Sequence, residues 1–311
     1  MLFRSYEQSL ELQQRSLDLH EQLGIVSNIA LSYDQFGDIY LEWDKYEKAI
    51  EYYEKSRDRY QELDLQENVA YQFCSLAHCQ RELKKYDKAL DYFHQSKEIH
   101  QILGTSESLS RRFRQIAEVY RLKAKTKSNP IAIALLDQAH ESLQQSIEIA
   151  TTHEYTENLA YDYNVLALIT ADRLRYLETD DRSIPELINQ VAIAHTTSIQ
   201  HFTTLGQTQN QAAETLDIAR AYLEIPHLQN LNHAETLTRQ ALQTFQDFPA
   251  YKRQAAAHRL LGEIYLARTQ NQEPNARATA QDFLTTSLTL YQTLDLIQKA
   301  SEVQDLLSTL Q

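Results

Sequence analysis

The sequence predicts an all-α protein: a solenoid of antiparallel helix pairs with about fourteen helices, its apolar residues spaced for amphipathic helices. Three observations predict it. Helix-breaking residues are scarce, with 5 Gly and 5 Pro in 311 residues, far below the usual shares of about 7% and about 5%, and this excludes a fold rich in turns. Segments repeat at a spacing of 40, as in Tyr33–Tyr40 against Phe73–Gln80 and Tyr46–Ala49 against Tyr86–Ala89. Two ladders of small residues run through the chain. One is Gly37, Ala77, Ala117, Ala167, Ala219 and Gly262; the other is Ser16, Ser56, Ser96, Ser146, Ser198, Ala241 and Ser287.

From each rung of the second ladder to the next rung of the first is a constant 21 residues, and the same step from Ser287 reaches Ser308. A small side chain lets two helix backbones approach closely, so the step is read as a packing register between neighbouring repeats. Insertions fall inside repeats. From Gly37 to Ala49 is 12 residues, but from Ala117 to Ala139 it is 22 and from Gly262 to Ala280 it is 18. In the fifth repeat Val191 replaces the small residue. The enlarged connections hold Pro130, Pro185, Pro226 and Pro274, and Pro249 stands at a further helix start, places where proline is tolerated. Gly24, Gly104 and Gly206 follow a leucine where a second helix should stop, as left-handed C-caps do.

In order, the spacing predicts helices over 4–22, 25–43, 46–63, 66–83, 86–103, 106–126, 130–152, 156–178, 183–205, 208–225, 231–247, 250–270, 275–294 and 297–310. They group as one array over 1–311: a partial repeat at 4–24, repeats at 25–64, 65–104, 105–154, 155–206, 207–248 and 249–295, and a C-terminal helix at 297–310. The connections around 124–131, 178–185, 226–232 and 269–275 join first to second helices and are expected along one edge.

Composition narrows the function classes. Hydrophobic content of 42% and charged content of 23% describe a chain that folds rather than stays disordered. A net charge of −13 opposes nucleic acid or an anionic membrane as main partner. Apolar stretches such as Ile131–Leu136 are too short to span a bilayer. Met1 leads straight into a helical pattern, so no leader is expected and the setting is read as cytoplasmic. Cys74 and Cys79 face different ways on one helix and fit a reducing compartment.

These residues resemble the tetratricopeptide repeat. The second repeat supplies Tyr33, Phe36, Gly37, Tyr40, Tyr46, Ala49, Tyr53 and Ser56; the third supplies Phe73, Leu76, Ala77, Tyr86, Ala89, Phe93 and Ser96. The likeness covers nearly the whole chain and weakens toward the C-terminal half, where Thr170, Thr215 and Thr238 stand at large positions. The repeat exceeds the standard length of about 34 and is similar to the longer variant of kinesin light chains and many bacterial signalling proteins. HEAT-type repeats have comparable lengths but lack the alanine–aromatic–small pattern. The resemblance implies a right-handed superhelix whose first helices line a groove that binds extended peptides or helices.

No chemistry-bearing constellation stands out, and the chain is expected to be no enzyme and to need no cofactor or metal. The pairs His94/His100, His195/His201 and His227/His233 are each six apart, about 240° around a helix, so neither pair member shares a metal with the other; isolated histidines on solvated faces are expected. Asp180 and Asp181 read as exposed turn residues. The tyrosines mostly take repeat-packing positions.

Charge is uneven. Residues 1–104 carry 12 basic and 19 acidic side chains, and 156–311 carry 11 and 18. Between them Arg111, Arg112, Arg114, Arg121, Lys123, Lys125 and Lys127 are opposed only by Glu118 within their run. The family's groove positions fall here on Arg111, Arg114, Gln115 and Arg121, with Tyr71, His78 and Arg81 on one side and Tyr161 and Asn164 on the other. Arginine matches carboxylates in a bidentate fork, so the expected partner is a protein or peptide with an acidic segment. Alternatively these arginines pair with Glu82, Glu118 and other groove acids and only solubilise the surface. The family's carboxylate clamp needs lysine and asparagine where this chain has Asp34 and Asp38, which argues against that clamp. Two functions fit: a scaffold, or the sensor segment of a larger bacterial signalling protein with its effector domain outside this chain. A start inside a second helix and an end inside a first one favour a fragment.

Overall fold

The computed structural model describes residues 3–310, which form fourteen α-helices and no strand, with 83% of the chain helical. They are α1 (Phe3–Leu23), α2 (Val26–Glu42), α3 (Tyr46–Glu62), α4 (Gln66–Glu82), α5 (Tyr86–Leu103), α6 (Ser106–Ala124), α7 (Ile131–Thr152), α8 (Thr156–Arg173), α9 (Ile184–Leu205), α10 (Thr208–Glu224), α11 (Leu231–Gln246), α12 (Tyr251–Gln270), α13 (Ala276–Thr293) and α14 (Ile297–Ser308). The largest departure from the predicted boundaries is in α8, which gives way to a 3-10 turn at Leu174–Tyr176. The chain divides into two compact units, Met1–Glu154 and Tyr155–Gln311, and the division falls between two repeats. In each unit a helix packs on its chain neighbours, most extensively within a first–second pair.

The small rungs make those pairs possible. A Cβ added to Gly37 would lie 2.5 Å from the Tyr53 ring, and one on Gly262 would lie 2.5 Å from Leu284. Both bulky partners stand on the second helix of the same pair, one turn after its alanine. Ala77, Ala89 and Phe93 share one buried cluster in the same way. The serine rungs add a hydrogen bond. The hydroxyl of Ser56 donates to the Ala30 carbonyl (2.8 Å), Ser96 to Ala70 (2.7 Å), Ser146 to Ser110 (2.8 Å), Ser198 to Ala160 (2.7 Å) and Ser287 to Ala255 (2.8 Å). Each acceptor lies seven residues before the first-helix rung. At the ends the pattern loosens: Ser16 is half-buried and Ser308 is exposed, its hydroxyl bonded within α14.

Both ladders therefore pack within a pair, and the register between successive repeats comes from the turn instead. One left-handed residue closes most second-to-first turns: Gly24, Asp64, Gly104, Glu154, Gly206 and Asp295, with φ from 54° to 68°. The next amide reaches back five residues, as in Leu65 to Tyr60 (3.0 Å), Thr105 to His100 (3.1 Å) and Gln207 to Phe202 (3.1 Å). This is the Schellman closure. A closure of fixed length gives the constant step; the turn before α12 keeps it by another path, through Pro249.

In the second unit the enlarged connections lie side by side. Leu174, Ile225 and Leu228 are buried in one cluster with Ile184 and Leu231 packed on it, and the His227 ring meets the Leu177 carbonyl at 3.1 Å. Arg268, at the end of α12, bonds Asn232 (2.7 Å) and Glu235 (2.8 Å) at the start of α11. Pro185 takes the first turn of α9. The threonines at large positions bond their own helix: Thr170 to Leu166, Thr215 to Gln211 and Thr238 to Ala234, at 2.7–2.8 Å. One expectation fails, since His100 is buried, with Nδ1 2.8 Å from the Thr105 hydroxyl, rather than on a solvated face.

Gly37→Ala separates helix propensity from packing. Alanine gains about 1 kcal/mol in a helix interior, but overpacking costs about 1–3 kcal/mol. Tyr53 is wholly buried and its hydroxyl is tied to Asp38 at 2.7 Å, so its ring has no free direction to yield. The variant is expected to unfold at lower urea; a raised midpoint would show that the ring moves aside.

Candidate functional site

In the first unit, α2, α4 and α6 are the first helices of successive repeats, and their side chains interlock across one shared face. The buried Gln72 donates to Asp34 at 2.9 Å, joining α4 to α2. Gln115 of α6 joins α4 twice: its Nε2 stands 2.9 Å from Nε2 of His78, and its Oε1 accepts from the Cys74 thiol at 3.7 Å. An amide nitrogen has only hydrogens to give, so this bond fixes His78 as the neutral tautomer with Nε2 unprotonated. Burial, then the charges of Arg81, Arg112 and Arg114, hold its imidazole well below the usual range. The ring also meets Phe93 edge-on at 5.3 Å.

The sequence-predicted arginines meet different fates. Arg81 is taken up by Glu82 (2.9 Å) and Glu118 (3.2 Å). Arg111 pairs with Glu107 one turn away on α6. Arg121 is buried, and Arg114 is half-buried. Tyr71 is half-exposed, at 52%. Tyr161 and Asn164 belong to the second unit. There Tyr161 meets Phe202 edge-on at 5.0 Å, and the buried Asn164 donates to the Glu214 carboxylate.

The residue that sequence reasoning passed over is Arg112. It is 7% exposed, and neither its Nε nor its Nη1 finds an acceptor. Its near neighbour is the Cys74 thiol, a weak acceptor. Desolvation pushes its pKa down; Cys74 acts the other way, and Arg114 and Arg111 add to the lowering. A guanidinium stays charged in proteins, so this is a buried cation without a carboxylate. Counting groove positions missed it, because Arg112 is rotated about 100° from Arg111. The available signal was stoichiometric: four arginines on α6 share that helix with only Glu107 and Glu118.

The second unit has no such surplus. Arg175 bonds Asp172 (2.9 Å) and Glu224 (2.9 Å), Arg220 bonds Glu224 (3.3 Å) and Glu263 (2.6 Å), and Arg259 bonds Glu263 (2.8 Å) and Glu302 (2.5 Å). Alternating charges thus run across α8, α10, α12 and α14.

The Tetratricopeptide repeat family model matches residues 3–62. The bond from Ser56 to Ala30 lies inside that match, and the same serine-to-carbonyl bond recurs through both units. The first repeats are thus similar to the tetratricopeptide repeat in sequence, and the fold of the described residues is a tetratricopeptide-like helical array. No curated protein matches it. Among solved structures it is similar to BtubC (BKLC) from P. vanneervenii, with a TM-score of 0.55 and 15% identity over 78% of this chain and 91% of that one. The TPR2AB-domain:pHSP90 complex of yeast Sti1 aligns with a TM-score of 0.32 and 18% identity over 91% of this chain and 98% of that one. Among the described residues, no helix is long and apolar enough to cross a membrane, and no three His, Cys, Asp or Glu residues cluster to hold a metal.

Asp34 is half-buried and accepts from Gln72 at 2.9 Å, while Asp38 is exposed and accepts from the Tyr53 hydroxyl at 2.7 Å. Burial pushes Asp34 up to about 6, against the lowering effect of Gln72, and Asp38 raises it further. The folded state therefore binds this proton more tightly than the unfolded chain, whose carboxyl titrates near 3.8. The stabilisation is complete below that unfolded value and is lost as pH rises through about 6. Asp34→Asn keeps an acceptor for Gln72, so it is expected to melt higher than the parent at pH 7.5 and equally at pH 3.5. An unchanged gap across that range would overturn the assignment.

Proposed function

We propose that this chain is a non-enzymatic binding scaffold that takes an acidic protein segment on the α2–α4–α6 face, with Arg112 as its anchor. The observation that carries the reading is the buried Arg112 guanidinium without a carboxylate. Taking an ion out of water costs several kcal/mol unless a counter-charge is supplied, and the described residues supply none. Tyr71 and His78 both lie within reach of its charge, so an incoming carboxylate would meet an aromatic edge and a neutral imidazole beside it. Arg114 and Gln115 extend the polar lining, while Arg81 and Arg111 serve the fold by holding Glu118, Glu82 and Glu107. Tyr161 and Asn164 are assigned to packing in the second unit.

Arg112→Met tests this with two readings of opposite sign. Replacing a buried, unpaired charge by an apolar side chain of similar length is expected to raise stability by about 1–3 kcal/mol, seen as a higher urea midpoint. The same change is expected to abolish binding of a short, labelled poly-glutamate peptide, followed by fluorescence anisotropy. Binding by the parent should weaken with salt, as expected for charge attraction. A stabilised variant that still binds the peptide as tightly would overturn the proposal, as would a parent that never binds it.

A further inference from the structure

A second feature of the first unit lies away from that face. The turn between α4 and α5, the first turn of α5 and the end of α6 enclose an open cavity of about 430 Å³. Five lysines line it, Lys84, Lys85, Lys88, Lys123 and Lys127, with one acidic residue, Asp87. Asp87 is taken by Lys123. Glu82, whose charge reaches Tyr86 at the same turn, is held by Arg81. The other four lysines have no acidic partner among the described residues.

The preceding repeat shows that this concentration is not a property of the turn. Forty residues earlier the same turn reads Asp44, Lys45, Tyr46, Glu47 and Lys48, with charges that cancel. Its lysines lie over aromatic rings, Lys45 at 5.4 Å from Trp43 and Lys48 at 5.2 Å from Tyr40. The later turn puts Lys84 in the place of Asp44, in a left-handed conformation with φ 58°. Lys123 stands where the earlier repeat has Leu83, and Lys127 lies in the enlarged connection after α6. The lysines also surround the start of α5, whose N-cap makes no side-chain bond to the first-turn amides. The helix dipole therefore adds to the positive field.

We propose that this cavity binds a compact anion carrying two or more linked phosphates. Its composition selects the ligand class. The lining cations are all lysines, which act as compact point charges without the planar fork that pairs single carboxylates. Several such charges brought together from two chain segments fit a densely charged group better than the dispersed charge of an acidic peptide. The volume also exceeds what one phosphate fills. The site shares no residue with the α2–α4–α6 face and does not depend on the reading of that face.

Isothermal titration calorimetry of the full chain with inorganic pyrophosphate, at constant ionic strength, tests it. A saturable one-to-one isotherm is expected, with orthophosphate weaker by about tenfold or more. The double variant Lys84→Gln and Lys127→Gln should lose about tenfold or more in affinity while its circular-dichroism melt stays unchanged. Arg112→Met should bind pyrophosphate as the parent does. A nucleoside diphosphate assigns the source: tighter binding than pyrophosphate places a nucleotide in the cavity, and equal binding places the inorganic anion there. The proposal is overturned if no saturable heat appears, if sulfate of equal charge competes equally, if the lysine variant binds undiminished, or if poly-glutamate displaces pyrophosphate at equal charge.

Discussion

Everything in this fold depends on how closely two helices of a pair can approach. A rung of Gly or Ala on the first helix leaves room for one bulky residue of the second, and the space is tight enough that a single Cβ at Gly37 or Gly262 would collide. The serine rung answers from the other side. A hydroxyl fits where a larger side chain would hold the backbones apart, and it carries its own bond to a carbonyl of the facing helix. Such a buried polar group would be costly alone and is nearly neutral when paired. Five pairs make this bond with lengths of 2.7–2.8 Å. The uniform geometry lets the connections inside a pair vary in length while the pair itself stays the same.

Once pairs are fixed, the first helices within each unit meet side by side, and charge decides what their shared face becomes. In the second unit, acid and base alternate from helix to helix, and each arginine reaches two carboxylates. A ligand carboxylate would have to displace one already in place, at no net gain. In the first unit, α2 contributes acids, α4 a neutral His78 and Cys74, and α6 more arginines than nearby acids. That imbalance is the ground of the proposed binding on one face and of its absence from the other.

Much of this was legible in the sequence. The 40-residue spacing, the two ladders and the proline positions placed every helix to within a few residues, because pairing geometry constrains residue size at fixed positions. The cause of the 21-residue step was not legible. A constant number could come from packing between repeats or from a turn of fixed length, and only the left-handed residues at Asp64, Glu154 and Asp295 reveal the turn; none of them is glycine. The site was legible as a region and not as a residue. Groove arithmetic selects side chains by direction, and it found Arg81, Arg111 and Arg114. It does not say which guanidinium lacks a partner, since that depends on Glu107 sitting one turn before Arg111 and on Glu118 reaching across to α4.

The two uncompensated charges of the first unit also bear on its stability. Arg112 lies inside the α4–α6 contact, and the lysine cavity closes over the α4–α5 turn and the end of α6. Among the described residues, the same helices therefore carry a buried guanidinium with no carboxylate and several lysines with no acidic partner. An anion bound at either place removes a destabilising term from the packed state and has no comparable site on the unfolded chain. By linkage, such a ligand raises stability in proportion to the logarithm of its concentration over its dissociation constant. The proposed ligands would act on a contact that Gln115 already spans, reaching both His78 and Cys74 of α4 from α6.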